Sequence, residues 1–559
     1  RQVRLIAEVY DVRDGTKLGQ DQVEGSPDEI LTLVDRLSVE VLRQILSAED
    51  AHVELGQLPD VDLARVTTGS LPALKAFLQG EALIRRSRFG EATERFRAAV
   101  EADSTFALAW YRLGTSRGWL EGLDEDHVAD FRRAAELSAR LPERERMLLA
   151  AALALARNDA TAIDLAERAV EEYPDDPEAW YLLGDAQFHL GFVRLAARDA
   201  SADAFRKALE LDPNFAPAYI HLLQIAMIHE NDSAATTRLL RLYHGVAAES
   251  EYDVAARVAY DFVFGDADTT DARAAADTIG QAVMQPLMFF LGHPAGLRAQ
   301  GVLLHEIREL PHPAAQIGGT IGLAWNSLAR GRLRELQDVL DDPRLPPGMR
   351  QDVLLQAALA AFPLPPATFE SALALTAVDT TSAEDLLEAG AYAALKGQPE
   401  DDRRAREALE RLGNRASASG DTAAAASVSA MSRTLEGVEL MQAGRFAEAT
   451  ELLEQTRRGL GGNEDRVGLA VALTYVIGDG LLRAGQPAEA LPYLLAFPFP
   501  TPLLYLRLGQ AYEAEERFDE AREAYQLFVL GWRDADPELQ PRVREAQAAI
   551  RRLSSVIQE

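Results

Sequence analysis

The spacing of apolar residues changes once along the chain, from a period of two to a period of three or four. Apolar and polar residues alternate over residues 3–10, which predicts a β-strand. Asp14-Gly15 predicts a tight turn and residues 18–23 a returning strand. A capped helix is predicted to begin at Ser26. Because two strands and one helix bury little apolar surface, we expect residues 1–57 to be part of an α/β domain that continues upstream.

From Leu71 to Ile557 the apolar period is that of amphipathic helices, in segments of roughly 12 to 16 residues separated by short turns. This pattern predicts an all-α fold of helical hairpins after the N-terminal ββα segment. It divides into an N-terminal array over 58–247, a divergent region over 248–415 and a C-terminal array with a capping helix over 416–559. Two interpretations of the divergent region stay open: repeats that continue the same stack, or a separate helical insert.

Small residues recur at a fixed spacing in five of these hairpins. A glycine or alanine in the first helix precedes an alanine in the second by 12 positions. The pairs are Gly80 and Ala92, Ala150 and Ala162, Gly437 and Ala449, Gly478 and Ala490, and Gly509 and Ala521. Antiparallel helices come close where their side chains are small, so we expect the two members of each pair to face each other.

The residues around these pairs form a repeated motif. First helices contain FALAWYRLG at 106–114, AWYLLG at 179–184 and YLRLG at 505–509, and second helices contain RFGEA at 88–92 and RFDEA at 517–521. Gly80 and Gly114 are 34 positions apart. The motif resembles the tetratricopeptide repeat, a helix–turn–helix unit of that length, and the resemblance implies a right-handed α-solenoid of about twelve hairpins. The units that resemble it lie near 73–106, 107–140, 143–176, 177–213, 430–463, 471–500 and 502–535, with a looser one near 216–247 and an insertion over 192–201.

The opening segment has a resemblance of its own. VRLIAEVYD at 3–11, followed by Asp14-Gly15, looks like the end of a TolB-amino-terminal-like domain. Such domains precede tetratricopeptide arrays in bacterial adenylate cyclases, transcription regulators and receptor-type serine/threonine kinases. The resemblance implies a bacterial protein, part of a longer tethered chain in the cell envelope or outside the cytoplasm. No kinase or cyclase signature is present, so it implies no activity for these residues.

Composition narrows the classes of partner. The chain has 57 basic and 88 acidic residues and a formal net charge of −31, which argues against binding to nucleic acid. It contains no cysteine, which excludes disulfides and thiolate metal sites. The longest apolar run, Met147 to Ala156, is ten residues, and a membrane-spanning helix needs about twenty. We therefore expect no membrane span.

No catalytic motif emerges from the sequence. There is no Gly-Lys dipeptide for a phosphate-binding loop, and the glycines of 318–322 are interpreted as a tight helix crossing. His221 and His229 are eight positions apart, and His305 and His312 lie near glutamates, but neither group has the His-Glu-x-x-His spacing. Acidic runs fall at predicted helix starts, where carboxylates are favoured. The sequence thus predicts no enzyme, no cofactor and no metal.

The function expected is that of a scaffold or sensor domain which binds a protein or peptide. The resemblance implies that the second, fifth, ninth, twelfth and thirteenth positions of each unit line a concave groove. The predicted groove residues are Phe77, Glu81, Ile84, Arg85, Tyr111, Tyr181, Asp185, Phe188, Leu506 and Gln510. Either their rings contact a ligand, or they only pack against the neighbouring hairpin. Two alternatives for the whole chain stay open: a structural subunit that self-associates through the strand at 3–10, and the non-catalytic part of a bacterial signalling kinase or cyclase.

Overall fold

The chain divides into two compact units, residues 1–156 and residues 157–559. A computed structural model describes residues 2–10, 17–26, 33–34, 36–37, 41, 68–121, 125–196, 198–278, 281–359, 383–395, 398–460 and 467–558. The predicted turn at Asp14-Gly15 and most of the helix predicted from Ser26 lie outside these residues. The predicted boundaries near 57, 247 and 415 stay predictions.

The first unit begins with an antiparallel hairpin of two strands, β1 (Val3–Tyr10) and β2 (Lys17–Gly25). Val3 pairs with Gly25, and the register holds to Val9, where an irregularity precedes Tyr10. The two strands predicted from the alternating pattern are therefore confirmed. Within residues 68–156 the unit's described helices are α1 (Leu71–Ile84), α2 (Phe89–Ala102), α3 (Ala107–Glu121), α4 (Glu125–Glu136) and α5 (Glu143–Ala156).

The second unit is helical throughout its described part. Its helices are α6 (Thr161–Glu172), α7 (Pro177–Leu190), α8 (Arg198–Leu211), α9 (Ala216–Gln224), α10 (Ser233–Ala247), α11 (Glu251–Val263), α12 (Thr269–Thr278), α13 (Gln281–Phe290), α14 (Leu297–Glu309), α15 (Pro313–Ala329), α16 (Leu333–Leu340), α17 (Pro347–Leu359), α18 (Ala383–Leu395), α19 (Pro399–Ala418), α20 (Thr422–Gln442), α21 (Phe446–Leu460), α22 (Val467–Arg483), α23 (Pro487–Ala496), α24 (Pro502–Ala514), α25 (Phe518–Gly531) and α26 (Gln540–Gln558). Most consecutive helices pack on each other, but α11 packs on α13 and α12 on α14. The predicted α-solenoid of helical hairpins is confirmed.

The small residues of the hairpins do make a close approach, but to a different partner from the one predicted. A Cβ added at Gly80 would lie 2.5 Å from the ring of Phe96, and one at Gly509 would lie 2.7 Å from the ring of Tyr525. The partner thus comes 16 positions after the glycine, four beyond the alanine. Residues four apart share one face of a helix, so the fully buried Ala521 lies one turn away from the ring that covers the glycine. Gly437 with Leu453 and Gly478 with Leu494 repeat the arrangement.

The insertion predicted over 192–201 lengthens the turn between α7 and α8. A 3₁₀ turn covers Gly191–Arg194, and Leu195 has a left-handed backbone with φ of 52°. The longer turn does not disturb the hairpin contact, because a Cβ on Gly184 would still lie 2.8 Å from the ring of Phe205.

The C-terminal array returns to helices that lie about 200 to 300 residues earlier in the second unit. The Tyr505 hydroxyl donates to the Ile228 carbonyl at 3.1 Å, and the Trp532 indole donates to the Ala329 carbonyl at 2.9 Å. Arg330 forms an ion pair with Asp534 at 2.6 Å. In an open repeat stack each repeat contacts only its neighbours. The second unit therefore closes on itself through contacts that repeat periodicity does not predict.

Candidate functional site

Five of the six apolar side chains predicted to line the groove are buried instead. Phe77, Ile84, Tyr111, Tyr181 and Leu506 are at most 8% exposed. The ring of Tyr111 lies 5.9 Å from that of Phe131 in the same hairpin. The rings of Phe77 and Tyr181 pack on Phe96 and Phe205 in the same way. These side chains therefore build the hairpins, which corrects the expectation that they stand on the surface.

The residue before each tyrosine has the more exposed ring. Trp110 and Trp180 are half-buried, and their indoles donate to the carbonyls of Ser104 and Pro174 at 3.0 and 2.7 Å. Each bond joins the start of a first helix to the turn that precedes it. In the Trp-Tyr pair of the motif, the tryptophan is thus a turn anchor, which holds the preceding turn by a hydrogen bond, and the tyrosine is a core ring, which packs inside the hairpin.

The polar members of the predicted set make contacts between neighbouring repeats or within a helix. Glu81 accepts from Arg112 at 2.7 Å. Gln510 accepts from Arg507 at 3.0 Å within α24. Arg85, which caps the C-terminal end of α1, is exposed. Of the ten predicted residues, these three, with Asp185 and Phe188, keep side chains at or near the surface.

Asp185 lies in a cluster with two histidines. The Nε2 atoms of His189 and His221 lie 3.4 and 3.2 Å from the same carboxylate oxygen, Oδ1 of Asp185. Asp185 and His189 are four residues apart on α7 and share one face, and His221 comes from α9 in the next hairpin. His221 is buried, Asp185 is half-buried and His189 is 40% exposed. The cluster thus opens to solvent on the side of His189.

Aromatic rings and an amide hold His221 in place. Its imidazole stacks on Phe205 at 4.9 Å and lies 4.8 Å from Phe188. Its Nδ1 lies 3.0 Å from Oε1 of Gln224, and its Nε2 faces Asp185. The guanidinium of Arg198 lies over the other ring of this group, Phe188, at 4.7 Å. We call Asp185, Phe188, His189, Arg198 and His221 the α7 surface.

Burial sets the protonation of this surface. Burial lowers the pKa of His221, against the opposing effect of Asp185, so its imidazole is neutral at pH 7. Burial acts to raise the pKa of Asp185, but hydrogen bonds from His189 and His221 outweigh it and hold the pKa below its usual range. At neutral pH the cluster combines a carboxylate with a neutral buried imidazole.

Sequence reasoning placed Asp185 in the groove but did not join it to His221. A signal was available in the repeat register. Tyr181 follows Pro177 by four positions, and His221 follows Pro217 by four. His221 therefore takes the place that a core ring holds in the other repeats, next to the ninth and thirteenth positions of the preceding one.

The other histidines and the glycine-rich segment do not form a comparable group among the described residues. His305 pairs with Glu335 at 3.4 Å. Burial lowers the pKa of His229 well below its usual value, with help from the charges of Arg198 and His293. A Cβ on Gly319 would lie 2.7 Å from the Arg308 backbone, as in a tight crossing of α14 and α15.

Among the described residues, no helix is both long and apolar enough to cross a bilayer.

The hairpins, their buried motif rings and their turn anchors define a helical repeat protein. Family models described as tetratricopeptide repeat match residues 143–186 and 503–529. The chain therefore contains tetratricopeptide repeats at these two segments.

Three solved structures show weak similarity to the chain. MamA residues 41 to the end from Desulfovibrio magneticus RS-1 is 21% identical, covers 31% of this chain and 97% of its own, and has a TM-score of 0.20. The P58(IPK) TPR domain is 15% identical, with 86% and 98% coverage and a TM-score of 0.21. The APC/C hetero-tetramer Cut9–Hcn1 is 13% identical, with 88% and 95% coverage and a TM-score of 0.24. Similarity at this level says nothing of function. No curated protein matches the sequence.

Proposed function

We propose that this chain is a non-catalytic scaffold that binds a protein or peptide through the exposed positions of its first helices, with the α7 surface at the centre. The observation that supports this proposal most is that α7 has one face in the hairpin core and another face at the surface. Tyr181 faces the hairpin core, whereas Asp185, Phe188 and His189 keep their side chains at or near the surface. A half-buried ring beside polar groups is the usual composition of a binding anchor.

The chemistry of the surface favours an extended segment with an apolar anchor and basic side chains. Phe188 offers the apolar contact, and a chain of net charge −31 attracts basic segments over long range. Arg198 beside Phe188 adds positive charge, so the electrostatic preference is moderate. Raising salt should weaken binding only modestly, because screening acts on exposed charges and not on apolar burial.

A pair of phenylalanine variants tests the proposal. After capture of a partner from the source organism, its affinity is measured for the parent chain, for Phe188→Ala and for Phe289→Ala. Phe289 is a matched control, since its ring is 42% exposed on α13. Loss of a buried anchor costs about 2 kcal/mol or more, so Phe188→Ala should bind at least ~30-fold more weakly. Equal affinities for the parent and Phe188→Ala would exclude this surface.

Self-association is a second candidate, and the N-terminal hairpin favours it. In the described residues, β1 and β2 pair only with each other, so each leaves one edge to which another strand can add. Ile6 on β1 is 53% exposed. The molar mass of the full chain in solution, measured over a range of concentrations, distinguishes a monomeric scaffold from a self-associating subunit.

The proposal extends to the setting of the protein. We propose that the protein is bacterial and is tethered in the cell envelope or outside the cytoplasm, because the resemblance of the N-terminal segment favours that location. Fractionation of cells of the source organism tests it.

A further inference from the structure

We infer that Asp185, His189 and His221 form a binding site for a divalent transition-metal ion of the Zn²⁺ type, joining α7 to α9. Within the described part of the chain this is the one group of three or more metal-ligating side chains whose ligand atoms converge, all within 4.8 Å of one another. Two imidazoles and one carboxylate are a common set of three protein ligands for such ions, with a further position left open.

The distances fit the geometry of a bound ion. Metal–ligand bonds of about 2.0 to 2.2 Å in a tetrahedral site place neighbouring ligand atoms roughly 3.3 to 3.5 Å apart. Oδ1 of Asp185 lies 3.4 Å from Nε2 of His189 and 3.2 Å from Nε2 of His221. All three ligand atoms lie within 4.8 Å of one another, and the exposed His189 is the ligand with most room to move toward an ion.

The orientation of His221 suits an ion bound next to Asp185. Its Nε2 lies 3.2 Å from Oδ1 of Asp185 and its Nδ1 lies 3.0 Å from Oε1 of Gln224, so one ring nitrogen faces the proposed ion while the other is held by an outer partner. An outer partner that fixes the tautomer and orientation of a ligand histidine, as Gln224 does, is usual in metal sites.

A second junction between repeats in the same unit has a carboxylate at the same position, but the side chains around it are not metal ligands. Asp479 on α22 occupies the ninth position of its repeat, as Asp185 does in the repeat that begins near 177. Its carboxylate is neutralised by Arg483, four residues on, at 2.9 Å and by Arg507 of the next repeat at 2.6 Å. At the α7–α9 junction His189 stands at the position of Arg483, and His221, one position before that of Arg507, comes from the next repeat. The carboxylate there is surrounded by side chains that can serve as metal ligands.

The test uses the full chain, freed of metal by chelation and of any polyhistidine tag, with ZnCl₂ as the probe in isothermal titration. The parent should bind one Zn²⁺ per chain at this site. His189→Arg should lose it, with at least ~100-fold weaker binding, and it should stay folded because it copies the Asp479–Arg483 pair. Gln224→Ala should weaken binding by about 10- to 100-fold, as loss of an outer partner does.

His244→Gln is the matched control. His244 is an exposed histidine 3.0 Å from the buried Asp253, but no third ligand converges there among the described residues. This variant should bind Zn²⁺ as the parent does. Substitution of Co²⁺ should give the visible absorption of a four-coordinate ion in the parent and in His244→Gln, but not in His189→Arg. Zinc binding that is equal in the parent and in His189→Arg, or absent from the parent, would overturn the inference and leave only a proton between Asp185 and His221.

Discussion

Gly509 should be the position where addition of one methyl group damages a hairpin most clearly. In Gly509→Ala the new Cβ would lie 2.7, 2.8 and 3.0 Å from three ring atoms of Tyr525. The ring cannot move away easily, because it is 4% exposed and its hydroxyl donates to Glu513 at 3.0 Å. Overpacking of this kind typically costs about 1 to 3 kcal/mol.

Helix propensity opposes this loss, since alanine is favoured over glycine by up to about 1 kcal/mol inside a helix. Gly413→Ala isolates the clash. Gly413 lies inside α19, where a Cβ would meet Val428 at an ordinary 3.5 Å. Both variants share the gain in propensity, so their difference is the cost of overpacking. Gly413→Ala should be stabilised by about 0.5 to 1 kcal/mol, and Gly509→Ala should be about 1 to 3 kcal/mol less stable than Gly413→Ala.

Native-state hydrogen exchange with peptide resolution is the suitable assay, because repeat proteins open in parts and a single melting temperature averages over them. The free energy of opening is compared with the parent in α24 and α25 for Gly509→Ala, and in α19 and α20 for Gly413→Ala. If both substitutions stabilise their hairpins equally, the glycine is not at the closest approach and the account of the motif fails.

Three further predictions concern other parts of the chain. Trp532→Ala should remove a fully buried ring and its bond to Ala329, at about 3 to 5 kcal/mol, so hydrogen exchange should rise in α15 and α25 together. Burial lowers the pKa of His293 from 6.5 to about 4, so the unfolded chain takes up the proton first as pH falls. On the order of 3 kcal/mol of stability should be present above pH 6.5 and lost by about pH 4 in urea titrations, less so in His293→Asn, with the exposed His312→Asn as control. Residues 1–57 expressed alone should give collapsed amide NMR signals, because two strands are too few for a stable sheet; dispersed signals would contradict this.

The hairpins could be predicted from sequence because their determinants are local. The alternation in β1 and the Gly-to-Ala spacing each lie within one element or one hairpin. The residue predicted to face each glycine was one helical turn away from the side chain that covers it. The 12-residue spacing identifies which face of the second helix turns toward the glycine, but it does not identify the side chain on that face that makes the contact. The Trp-Tyr order was misread for a related reason: both rings are large, and only the bond from Trp180 to Pro174 shows which one leaves the core.

The site was harder to predict because it depends on contacts between repeats. His221 meets Asp185 only after the register of two hairpins and the irregular turn inside the first of them are fixed. The contact between Trp532 and Ala329 joins residues about 200 positions apart, and no periodic pattern in the sequence indicates it. Patterns along the chain report on burial within an element, whereas these contacts depend on how successive elements stack.

Site-specific photo-crosslinking of the full chain to its partner tests the central proposal most directly. A photoreactive side chain is placed at two positions in first helices of the second unit, Phe188 and Gln510, and at two exposed second-helix positions, Arg95 and Arg206. If the first helices form the binding surface, the partner should be crosslinked from Phe188 and from Gln510, and from neither arginine on the second helices. Crosslinks from Arg95 or Arg206, with none from Phe188, would contradict the proposal.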